Sequence, residues 1–150
     1  MRVVIQRVSE ASVLVNSSYT NSINQGYMIL LGICNSDTYD DIEYLVNKIE
    51  KLRIFEDDNN KMNLSIKEVN GEILLISQFT LYANTKEGNR PSFSDSMKYE
   101  EAKEIYNTFI NKLKETNINY KTGEFGEHMV VNIENDGPVT IMIDSKENIK

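Results

Sequence analysis

The chain has 150 residues, of which 40% are hydrophobic and 26% charged, enough for one sizeable core in one domain spanning 1–150. A net charge of −7 argues against a general nucleic-acid binder, which needs a basic face to neutralise many phosphates. One cysteine and one histidine exclude an internal disulfide and a Cys/His zinc site within one chain. Residues 2–8 (RVVIQRV) and 12–16 (SVLVN) read as two short strands, with 19–23 a weaker third. The start is a strand rather than a signal peptide, because no small-residue cleavage site follows an apolar core. No apolar run is long enough to span a membrane. Together with the lone Cys34, these features give the expectation of a cytosolic, metal-free protein.

Residues 27–33 (YMILLGI) are almost wholly apolar, as in a strand covered on both faces. A helix is predicted over 38–52, where Ile42, Leu45, Val46, Ile49 and Leu52 fall at helical spacing and Asp37 is placed to cap. Residues 56–63 form a polar turn, and Asn70-Gly71 a tight turn before the run 73–79. Residues 84–97 are a loop rich in Asn, Gly and Ser. A second helix is predicted over 98–115, with Tyr99, Ala102, Tyr106, Phe109 and Leu113 on its apolar stripe. Strands return at 119–122, 129–133 and 139–143. Two helices among roughly eight strands predict an α/β, β-rich fold with layered sheets and the helices on one side.

Ready-made catalytic devices are absent. There is no G-x-S-x-G elbow, P-loop or dinucleotide fingerprint, and so no call for a cofactor. His128, the lone histidine, reads as a surface residue, and Cys34 as a buried small hydrophobe. Two stretches stand apart. Ser77-Gln78-Phe79-Thr80 follows a buried-looking run, so it is either a strand end reaching solvent or a pocket mouth where hydroxyls, an amide and backbone N–H groups converge. Gly137-Pro138 is either a hairpin turn between 129–133 and 139–143 or a rigid tip that aims its carbonyls at a ligand.

Those two stretches carry a resemblance. SQFTLY and NDGPVT are the specific signatures, supported by MRVVIQRVSEASV, LLGI, LRIFEDDNNKMN and TGEFGEHMVV. With them the sequence resembles the D-aminoacyl-tRNA deacylases over nearly its whole length. Asn89 and Glu127-His128 depart from the residues usual at their positions. The resemblance implies a homodimer with two sites at the subunit interface, no metal and no cofactor. It implies that Ser77, Gln78, Phe79 and Thr80 form the site and that Gly137 and Pro138, the latter cis, enter it from the partner subunit. Arg7 and Met129 are implied as supports. Lys86 and Arg90, on the basic loop, are the residues expected to meet the acceptor end of an aminoacyl-tRNA. The alternatives are a non-catalytic dimer that holds a tRNA or DNA end, and a hydrolase or binder of free D-amino acid derivatives.

Overall fold

The computed structural model describes residues 1–148. β1 (Arg2–Val15) is one 14-residue strand, not the two short strands expected. Ser9 and Glu10, which look like a break in the sequence, are an exposed irregularity where the pairing with a neighbour shifts register. β2 (Tyr19–Ile23) pairs antiparallel with the second half of β1, and β3 (Gly26–Gly32) with the first. β6 (Glu72–Ser77) lies parallel to β3, and β7 (Tyr120–Thr122) parallel to β6. β4 (Arg53–Glu56) and β5 (Met62–Ser65) form a separate hairpin around the polar turn, where the sequence shows only the turn. The Asp57 carboxylate accepts from the Asn59 and Lys61 N–H groups and the Asn63 amide, which closes that turn.

The alternation of β3 and β6 explains their unbroken apolar runs. Tyr27, Ile29, Leu31, Ile73 and Leu75 enter one core, while Met28, Leu74 and Ile76 enter a second on the opposite face. α1 (Tyr39–Lys51) and α2 (Tyr99–Lys114) cover the first core with Ile42, Leu45, Ile49, Phe109 and Leu113. β1 serves both cores in turn, Val3 and Ile5 in the first, Ala11, Val13 and Val15 in the second.

The largest departure concerns the chain's last strand. Residues 129–133 and 139–143 are not the two arms of a hairpin. They belong to one strand, β8 (Met129–Asp144), antiparallel to β1 along its whole length. Gln6 pairs with Thr140 and Val8 with Asn135, so four residues of β8, Asp136 to Val139, face the single Arg7 and bulge outward.

The cap of α1 also differs from expectation: it is Thr38, whose N–H donates to the Asp41 carboxylate at 2.7 Å. Asp37 is instead buried, accepting from the Met1 amine at 2.5 Å and the Cys34 N–H at 2.8 Å. Asp41 ties α1 to α3 (Ser145–Asn148), accepting from Ser145 Oγ at 2.5 Å and Lys146 Nζ at 2.7 Å. Burial opposes ionisation of Asp41, but the hydrogen bonds from Lys146, Ser145 and Thr38 outweigh it and hold the carboxyl well below the usual range. A carboxyl with a depressed folded-state pKa stabilises the fold above its unfolded value, near 4, and that stabilisation fades as pH falls below it. Asp41→Asn should therefore cost about 3 kcal/mol at pH 7, the order for breaking a buried pair, and clearly less at pH 3. Urea unfolding at the two pH values checks this; an equal cost at both would show that the ionised carboxylate is not what stabilises.

Candidate active site

The parallel pairing of β3 and β6 sets Ser77 beside Leu31, and the Gln78 N–H donates to the Leu31 carbonyl at 2.8 Å. The strand then ends in a single 3-10 turn, Phe79–Tyr82. Gly32 permits this close packing: a Cβ there would lie 2.9 Å from Leu81 Cβ and 3.1 Å from the Gln78 carbonyl oxygen, driving the turn away. The Phe79 and Thr80 N–H groups open the turn and have no carbonyl within it to bond. The Phe79 ring is 57% exposed and meets Phe93 edge-on at 5.0 Å. Ser96 Oγ donates to the Phe79 carbonyl at 3.0 Å, fastening the 84–97 loop over the turn.

These elements surround a cavity of about 680 Å³. Ser77, Gln78 and Phe79 form one wall, and Phe93 and Ser96 a second. Phe125, His128 and Met129 close the third, above an apolar floor that includes Leu31 and Ile76. An apolar cavity with a few convergent polar groups is the usual form of a small-molecule site. Thr80 stands beside it, exposed, its hydroxyl accepting from Gln78 Nε2 at 2.5 Å.

Gly137 and Pro138 do not line this cavity. They sit exposed on the β8 bulge, joined by a cis peptide bond. Arg7, only 4% exposed, pins the bulge from beneath: Nε donates to the Asp136 carbonyl at 2.9 Å and Nη1 to the Ile54 carbonyl at 2.8 Å. The Val139 N–H donates to Asn135 Oδ1 at 2.9 Å across the bulge. Gly137 has φ +137°, and a Cβ on it would lie 2.7 Å from Val139 Cγ2 and 3.1 Å from Arg7 Nη2. Only glycine fits there without displacing the tip.

The structure thus brings Ser77, Gln78, Phe79 and Met129 together on one cavity. Arg7, Gly137 and Pro138 form a separate cluster, Lys86 lines a different cavity, and Arg90 is exposed and lines neither. Sequence reasoning missed Phe93, Ser96 and His128 as wall residues. An aromatic in an otherwise polar loop was the one available signal for Phe93. His128 is exposed, as read, but at the cavity's edge.

The family model described as D-Tyr-tRNA(Tyr) deacylase matches residues 4–144. A D-aminoacyl-tRNA deacylase of Clostridium tetani is 56% identical over 147 residues, covering 98% of this chain and 99% of that protein. A D-aminoacyl-tRNA deacylase of Thermosipho melanesiensis is 53% identical over 148 residues, with 98% and 99% covered. Among solved structures, one titled c-Myc DNA Unwinding Element Binding Protein superposes with a TM-score of 0.89 at 42% identity, covering 96% of this chain and 98% of that one. A probable eukaryotic D-amino acid tRNA deacylase superposes at 0.81 with 18% identity over 95% and 97%, a likeness of fold. With signatures, fold and relatives agreeing along nearly its whole length, this chain belongs to the D-Tyr-tRNA(Tyr) deacylase family.

Proposed function

We propose that the protein hydrolyses the ester of D-aminoacyl-tRNA, releasing free tRNA and the D-amino acid, and so removes wrongly handed residues before translation uses them. The observation that carries this reading is a division of parts. An open cavity lies at the Phe79–Tyr82 turn, and a pinned Gly-Pro tip on an edge strand is not part of its lining. A rigid tip with no cavity of its own to line fits one that serves the cavity of a second copy.

In that arrangement the acceptor end enters as a single strand, and Ser77 and Gln78 position the terminal adenosine while Phe79 supplies a stacking face. Such an end asks for a local grip, which an acidic protein with Lys86 and Arg90 on one loop can provide. The α-amino group of a D-residue meets the Gly137 carbonyl of the partner subunit, and its side chain points out to solvent. An L-residue holding the same ester position would drive its side chain into the Gly-Pro wall. Rejection by clash takes nothing from contacts with the correct substrate. Glycine has no side chain to reject, so glycyl-tRNA should also be hydrolysed.

For the chemistry, water adds to the ester carbonyl carbon and the bond to the ribose 3′-oxygen breaks, that oxygen leaving with a proton. In this reading the Phe79 and Thr80 N–H groups receive the developing oxyanion, each such donor being worth about 3 kcal/mol. Thr80 is the alternative nucleophile, yet its hydroxyl is bonded by an amide and not by a base. The terminal 2′-hydroxyl of the substrate is the group left to activate the water.

The dimer has physical support in β8, whose outer edge pairs with no strand among the described residues and which exposes Val130, Ile133 and Met142, the last at 67%. Sedimentation should give a dimer, and Met142→Asp should shift it to monomer with at least a 10-fold loss of deacylation. A fully active monomer would contradict the cross-subunit site.

A second reading has one observation behind it, the likeness at 42% identity to a protein named for binding a DNA unwinding element. It makes the protein a nucleic-acid-end binder without hydrolysis. Sub-stoichiometric protein mixed with D-tyrosyl-tRNA separates the two: repeated release of D-tyrosine supports the enzyme, and retention of an intact ester on the protein supports the binder.

A further inference from the structure

A second cavity, of about 530 Å³, opens at the other end of the Phe79–Tyr82 turn. Its wall includes Arg2, Asn35, Tyr82, Lys86 and Asp95, none of which lines the first cavity. The two sites are nonetheless close neighbours. Tyr82 ends the turn that Phe79 opens, three residues or roughly 6 Å along its axis at the 3-10 rise. Asp95 faces the second cavity while the adjacent Ser96 faces the first. A stacked strand advances about 3.4 Å per nucleotide, and one whose bases are splayed apart advances further, so the spacing suits a neighbouring nucleotide unstacked from the first.

Arg2 gives the second cavity its character. Its Nε donates to the Asp144 carboxylate at 2.6 Å, its Nη1 to the Leu81 carbonyl at 3.1 Å, and its guanidinium carbon lies 4.5 Å from the Tyr82 ring centre. These contacts fix the plane of the guanidinium, while 37% of the side chain stays exposed. A guanidinium held over an aromatic ring and still partly exposed offers a stacking surface for an unpaired base.

The rim favours a base over a free phosphate. Asp144 already balances Arg2, and Asp95 stands on the same wall as Lys86, so the cavity holds no surplus positive charge. Carboxylate, ammonium and the Asn35 amide instead intersperse acceptors and donors, as the Watson–Crick edge of a base requires. Tyr82 itself is only 8% exposed, so its ring is a fixed backing for the guanidinium. Burial, with the negative charge of Asp37 and a hydrogen bond with Cys34, keeps its phenol protonated.

We propose that this cavity is the subsite for the nucleobase immediately 5′ of the terminal adenosine, stacked on the Arg2–Tyr82 pair. The assignment rests on the aminoacyl-tRNA reading above. The test compares kcat/KM for D-tyrosyl esters of three carriers: a C-C-A trinucleotide, the same trinucleotide abasic at the middle position, and adenosine alone. The intact trinucleotide should outperform the abasic one by about 10-fold, the order of one base–aromatic stack. In Arg2→Lys, which keeps a cation opposite Asp144 but has no flat face, that ratio should fall toward one. Equal rates for intact and abasic carriers with the unaltered protein would overturn the subsite whether or not the variant folds. A 10-fold ratio that persists in Arg2→Lys would overturn the role of the platform. Failure to hydrolyse any of the three, adenosine ester included, would overturn the deacylase reading itself and the subsite with it.

Discussion

Replacing the terminal adenosine of D-tyrosyl-tRNA with 2′-deoxyadenosine should slow its single-turnover hydrolysis by 100-fold or more, whereas Thr80→Ala should cost less than about 10-fold. The reasoning starts from what surrounds Thr80. Its hydroxyl accepts a hydrogen bond from the Gln78 amide, and no carboxylate or imidazole bonds it among the described residues. A hydroxyl without a base is a poor nucleophile. Proton transfer by a positioned group is worth about 10²–10⁴ in rate, and the substrate's own 2′-hydroxyl is the neighbour of the ester that can supply it. Single-turnover rates for the four combinations of substrate and protein check this. A near-complete loss in Thr80→Ala with the deoxy substrate unimpaired would restore Thr80 as nucleophile.

Gly137→Ala should lower the preference for D- over L-tyrosyl-tRNA by at least about 10-fold. At φ +137° an L side chain is strained, and its Cβ would press on Val139 and on Arg7. The tip must then shift, and a steric gate works only at a defined position. Arg7→Lys should act in the same direction, because a lysine cannot bond the Asp136 and Ile54 carbonyls together as the planar guanidinium does. The ratio of D- to L-ester hydrolysis is the readout, since a general loss of activity would lower both rates together. An unchanged ratio in both variants would remove Gly137-Pro138 from stereochemical selection.

The sequence was most legible where local pattern and tertiary role coincide. The apolar stripes of α1 and α2 predict their spans to within one residue at each end, because each helix buries a single face. The unbroken run of β3 announces cover on both sides, and two cores supply it. The misreadings share a cause, a partner remote in sequence. Asn135 to Pro138 has the composition of a hairpin turn, yet the two halves of β8 on either side of it both pair with β1, more than 110 residues upstream. Asp37 looks like a cap, but the Met1 amine and Cys34 claim its carboxylate, and Thr38 takes the position. Of the site, Ser77 to Phe79 showed itself as a polar end to an apolar strand. Phe93, Ser96 and His128 reach the cavity only through folding of distant loops, and no local spacing encodes that.

The most direct test of the account is single-turnover hydrolysis of matched D-tyrosyl-tRNA and L-tyrosyl-tRNA, corrected for spontaneous loss in buffer. Rapid loss of the D-ester with the L-ester decaying at the buffer rate is the predicted result. No acceleration of either ester would contradict the proposed hydrolysis, and equal acceleration of both would contradict the gate assigned to Gly137 and Pro138.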